Sequence, residues 1–149
     1  MAALTLTPEE VAIIRTQIDA NARASQRFKR LSAIAWRDAA IVSLLFLGLT
    51  SKEICELRLA DLKFSKLVVA PRWGGQRTVK LDAETRKYLE HYLEGVRVEE
   101  RAMLFLSQRG KVINVRTIER MISKLGDQVD LHLVPSRLTI SASEEELLD

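Results

Sequence analysis

The sequence predicts a mainly α fold with a small antiparallel β element, an α+β arrangement. Three observations predict it. Apolar residues recur at helical spacing through Val11, Ile14 and Ile18, and a long apolar helix follows over residues 31–47. Two short runs rich in β-branched residues, 66–70 and 77–81, flank a turn at Gly74-Gly75. From Asp82 onward, helix-start residues, helical spacing and helix-stop glycines return.

Each element has a local cause. Thr7 caps the first helix, Pro8 suits its first position, and Glu10 completes a capping box. Leu6 and Val11 form a hydrophobic staple, and the helix runs to about residue 24. Residues 25–30 are a basic connector, with Arg23, Arg27, Lys29 and Arg30 close together. The second helix is apolar on most of its surface, which makes it the central core helix, and Gly48 stops it. Thr50-Ser51-Lys52-Glu53 repeats the capping-box pattern, so that Ile54, Leu57 and Leu59 face inward from a short third helix. Asp82 caps a helix to about Gly95, with Leu89, Tyr92 and Leu93 on one face. Residues 103–106 are a short buried strand or extended segment before a turn at Arg109-Gly110. Asn114 caps another helix, carrying Ile118, Met121, Ile122 and Leu125 and ended by Gly126. Beyond Pro135 the periodic signal weakens.

Composition bounds the function classes. With 149 residues, 47% apolar and 29% charged, the chain is one globular domain large enough to bury a core without staples. The lone Cys55 forms no internal disulfide, and no Cys/His cluster has zinc spacing, so no cofactor or metal is expected. The apolar run 39–49 is broken by Ser43 and Gly48 and is too short to span a bilayer, and no signal peptide opens the chain. The expected setting is therefore cytoplasmic, with no membrane partner. The net charge is +3, but Glu144, Glu145, Glu146 and Asp149 fall in the last nine residues, leaving +7 on residues 1–140. The expected division is one domain over 1–140 and an acidic tail over 141–149. A basic body suits a polyanion, although from charge alone ordinary solubility accounts for it more readily.

The order of local strings resembles the catalytic domain of the tyrosine recombinases, or phage integrase family. Leu6-Thr7-Pro8-Glu9-Glu10 is similar to the opening of that domain, and Arg37-Asp38-Ala39-Ala40 through Gly48-Leu49 to its core helix. Glu53 to Leu62, the hairpin, Leu104-Phe105-Leu106-Ser107 and the helix after Asn114 follow in family order. The resemblance implies a fold that cleaves DNA by attack of a tyrosine on a phosphodiester. Two arginines would stabilise the phosphoryl charge, a hairpin lysine would protonate the leaving oxygen, and histidine or tryptophan helpers would complete the site. At the implied positions this chain differs. Thr50 stands at the first arginine and Arg72 at the lysine, where its pKa makes it a poor proton donor. Pro135-Ser136-Arg137-Leu138-Thr139 matches the second box, with Ser136 for the histidine and Thr139 for the arginine unless Arg137 moves in by a two-residue slip. Tyr88 and Tyr92 lie on the wrong helix to be the nucleophile.

These departures carry the expectation of a non-enzyme with no catalytic residues. It would bind double-stranded DNA without covalent chemistry, as a repressor, accessory factor or competitor at recombination sites, and would be nucleoid-associated. The alternative is an interaction module that pairs with itself or a full-length tyrosine recombinase. A winged-helix regulator fits less well, because too few residues separate Leu59 from Leu67 for a recognition helix. No small-molecule substrate is expected. The DNA-binding residues would be Arg72 and Trp73 on the hairpin, Arg77, Arg116, and the group Arg23, Arg27, Lys29 and Arg30, with each lone arginine also readable as an ordinary surface residue. Thr50 reads first as a helix cap, though a helix N-terminus also receives a phosphate. Cys55 reads as a small packed hydrophobe.

Overall fold

The structure is a computed structural model that describes residues 5–27, 29–69, 75–95 and 102–139. Helix α1 spans Pro8–Ala24. Its capping box is closed: Thr7 Oγ1 accepts from the Glu10 amide at 3.1 Å, and Glu10 Oε1 accepts from the Thr7 amide at 2.9 Å. A 3-10 turn over Ser25–Arg27 leads into α2, Lys29–Phe46, which starts two residues before the expected point. From Ala39 to Leu45 every apolar residue of α2 is fully buried, and α1 and α4 pack directly on it. Each such Leu, Ile or Val side chain stabilises the fold by roughly 1.5–3 kcal/mol, so α2 is the axle of the core.

Gly48 ends the second helix with φ 101°, and the Leu49 amide donates back to the Leu44 carbonyl at 3.2 Å. Helix α3 follows at Ser51–Glu56. The antiparallel sheet has the order β1 (Leu62–Lys63), β2 (Lys66–Val69), β3 (Arg77–Lys80), with Leu67 opposite Val79. Helix α4, Ala83–Glu94, is capped by Asp82, whose Oδ1 accepts from the Thr85 amide at 2.9 Å. Helix α5, Val115–Val129, is capped in the same way by Asn114. Ile118, Ile122 and Leu125 bury its inner face.

Three features differ from the sequence reading. Gly126 does not end α5, which continues to Val129 and stops at Asp130 in the left-handed region. A Cβ at Gly126 would lie 2.5 Å from the Leu131 carbonyl oxygen, so the glycine admits the returning chain. Residues 135–139 form a further helical turn that periodicity did not reveal. Strand β1 adds a third strand to the hairpin. Residues 103–106 are the extended one of the two readings, held by isolated bridges from Arg58 to Met103 and Leu106 to Val112, with Leu104 and Phe105 buried. Tyr88 and Tyr92 are buried in structural roles: the Tyr88 hydroxyl donates to Asp19 Oδ1, and that of Tyr92 accepts from the Leu106 amide, both at 2.9 Å. No described helix is long and apolar enough to cross a membrane.

Candidate nucleic-acid interface

Thr50 is the N-cap of α3, as its spacing to Glu53 predicts. Its Oγ1 accepts from the Glu53 amide at 3.2 Å, and Glu53 Oε1 accepts from the Thr50 amide at 3.0 Å. The same carboxylate receives Arg77 from β3 in a two-pronged pair at 2.6 and 3.0 Å. Arg77 therefore clamps the sheet to the start of α3, and its charge already has a partner. The guanidinium holds the Glu53 carboxyl below its usual range, with burial opposing the shift. Because the folded pKa is depressed, this contribution is present above about pH 4.3, the ordinary carboxylate value, and is lost as pH falls through the folded value. Glu53→Gln keeps the cap and loses the ion pair, and should cost about 0.5–1 kcal/mol at pH 7 and less at pH 3. Glu53→Ala should cost about 1 kcal/mol more through the lost cap. Urea titrations at the two pH values check both.

The helical turn 135–139 returns to this point. Thr139 Oγ1 donates to the Leu49 carbonyl at 2.7 Å, joining two segments ninety residues apart in sequence. Leu138 is fully buried beneath the turn and Ser136 is exposed. Arg137 donates to the His132 carbonyl. The residue hydrogen-bonded to the chain just before Thr50 is thus Thr139. The two segments read as phosphate boxes meet, with hydroxyls at their ends.

On or beside α3 and α5, which pack together, stand Arg116, which the sequence reading singled out, and two cations that it did not, Lys52 and Lys111. Lys52 stands on the first turn of α3, Lys111 precedes the Asn114 cap, and Arg116 stands on the first turn of α5, which packs against α3. Arg116 and Lys111 are exposed, and none of the three has an acid within 4 Å among the described residues. The available signal for Lys52 was its place inside the capping box, where a lysine opposes the helix dipole. Arg23, by contrast, is bonded to Asp19 at 2.7 Å on α1. Arg72 and Trp73, and the side chains of Arg27, Lys29 and Arg30, lie outside the described residues. Burial pushes the Cys55 thiol up to about 11, so it remains a neutral packed side chain at pH 7.

Residues 6–142 match the phage integrase family. The chain belongs to that family. Among curated relatives of this integrase-family chain, the tyrosine recombinase XerC of Caldanaerobacter subterraneus subsp. tengcongensis is 37% identical over 94 residues, covering 59% of the chain and 26% of the relative. XerC of Corynebacterium glutamicum is 31% identical over 120 residues, covering 76% of the chain and 38% of the relative. The chain therefore spans about a quarter to two-fifths of these relatives. The crystal structure of XerA recombinase superposes with a TM-score of 0.76 at 27% identity, over 96% of this chain and 49% of that one. XerH recombinase bound to its difH substrate before cleavage gives a TM-score of 0.77 at 18% identity, over 97% of this chain and 42% of that one, a likeness of fold. The mainly helical fold with a small antiparallel sheet is that of the tyrosine recombinase catalytic domain.

These matches overturn the expectation that the chain is not an enzyme. That expectation rested on Thr50, Ser136 and Thr139 and on the lack of a nucleophilic tyrosine within 149 residues. The relatives are recombinases, and the chain covers less than half of their length, so what it lacks does not describe a non-enzyme.

Proposed function

We propose that this chain binds duplex DNA across a face carried by α3 and α5, which pack against each other, as the DNA-holding part of a recombination function. The observation that carries the reading is the Thr139–Leu49 hydrogen bond, which closes the two box segments onto one point. Lys52 on α3, Arg116 on α5 and Lys111 just before it supply positive charge without internal acid partners among the described residues. Hydroxyls at positions 50 and 139 are weaker phosphate partners than guanidinium groups, so the lysines and Arg116 carry the affinity. Such a grip serves DNA recombination, in strand exchange itself or in a regulatory or accessory role at the same sites. The DNA-bound state of the XerH neighbour supports the partner class.

Fluorescence anisotropy with a labelled duplex of about 30 base pairs tests it. Three phosphate contacts give a log–log salt slope near −2.7, so raising salt from about 50 to 200 mM should weaken binding roughly 40-fold. No binding at the lower salt would overturn the reading.

A further inference from the structure

We infer that the groove between α1, α2 and α5, closed at one side by the turn at 107–109, is a nucleotide site. Its volume is about 870 Å³, within the size range of ligand pockets. The floor is built rather than incidental. Arg37 is buried, donates to the Leu106 carbonyl at 3.1 Å, and grips one oxygen of Asp38 through Nε and Nη2 at 3.0 and 2.8 Å. The second Asp38 oxygen accepts no hydrogen bond among the described residues, and Asp38 borders the groove. One wall is fixed by Asn21, which accepts from Gln17 and donates to Gln128, both at 2.8 Å, tying α1 to α5.

Arg109, Arg120 and Lys124 line the same groove, all exposed and without acid partners within 4 Å among the described residues. Ile34 and Met121 add apolar surface to the same lining. The ligand that satisfies all three features carries anionic groups for the cations, an N–H donor for the open carboxylate oxygen, and a flat apolar body. A nucleotide has this combination. Guanine fits best, because its adjacent ring and exocyclic N–H groups are donors for a carboxylate. Met121 suits a planar ring through its polarisable sulfur. A free nucleotide and a nucleotide extruded from a DNA strand share this chemistry. The groove shares no cation with Lys52, Lys111 and Arg116, so duplex binding and nucleotide binding fail separately.

Calorimetric titration of the whole chain tests the site with GTP, UTP and a single-stranded guanine-containing oligonucleotide. GTP should bind at least about tenfold more tightly than UTP, which has no exocyclic amino group. Arg120→Gln with Lys124→Gln should weaken GTP at least about tenfold, whereas Lys63→Gln with Lys66→Gln, which removes equal charge from the exposed sheet lysines, should leave it unchanged. Both pairs are exposed, so circular dichroism should show an intact fold. If only the oligonucleotide binds, and the groove pair weakens it by the same factor, the site takes its nucleotide from a strand. No binding of either, equal GTP and UTP affinity, or equal losses from both lysine-containing pairs would overturn the proposal.

Discussion

Arg37→Leu is expected to destabilise the folded chain by about 3–5 kcal/mol, because it leaves the Asp38 carboxylate without its cation beneath the helices. The guanidinium is itself 5% exposed, holds Asp38 through two nitrogens and satisfies the Leu106 carbonyl with a third. Removing it strands a charge and an acceptor together. The effect has a pH signature. Burial already raises the Asp38 pKa despite Arg37, so the ionised form is disfavoured on folding. That penalty is absent below the unfolded value, near pH 3.9, and grows as pH rises through the folded value. Without Arg37 the folded value rises further, so the loss should be largest at pH 7 and shrink toward pH 4. Urea unfolding at both values measures it. Adding Asp38→Asn should recover part of the loss at pH 7, because the stranded charge is gone.

Lys52→Gln, Lys111→Gln and Arg116→Gln together are expected to weaken duplex binding by roughly 10²- to 10³-fold at about 0.1 M salt. Each phosphate contact contributes a factor of about eight at that concentration, and its loss flattens the salt slope by about 0.9. Arg116 and Lys111 are exposed and Lys52 is half-exposed, none in an ion pair among the described residues, so the triple variant should unfold within about 0.5 kcal/mol of the parent. Equal charge removed at Lys63, Lys66 and Lys80, a row in cross-strand register on the sheet, should change affinity much less. Anisotropy titrations at three salt concentrations separate the two sets.

The parts of this fold legible in the sequence were those with a local cause. Thr7, Thr50, Asp82 and Asn114 each accept the amide hydrogen bond that their spacing implies, and Gly48 takes the positive φ that a helix stop requires. What escaped was set by tertiary contact. Gly126 looks like a stop, but the cause of the glycine is the chain passing at Leu131, five residues later in sequence. The β1–β2 turn puts no glycine or asparagine where one is favoured: Phe64 adopts φ 46° there, with the Arg86 guanidinium 4.5 Å over its ring. The turn 135–139 is too short to show a period, and Thr139 fixes it through a carbonyl on the far side of the chain.

The candidate interface was half-legible for the same reason. Composition and position singled out Arg77, whose partner Glu53 is twenty-four residues away, and nothing local revealed that its charge is already engaged. Lys52 looks like an ordinary surface residue until α3 is packed against α5. Among the described residues of the expected set, Arg116 is the one whose exposure and lack of an acid partner suit a phosphate.

Amide-by-amide NMR titration of the whole chain with a duplex tests most directly where the nucleic acid lies. Shifts should concentrate at Leu49 to Glu53, at Lys111 to Thr117 and around Thr139, and should fade as salt rises. Shifts confined to α1, α4 or the outer face of the sheet, or none at low salt, would contradict the meeting of the two boxes as the seat of DNA binding.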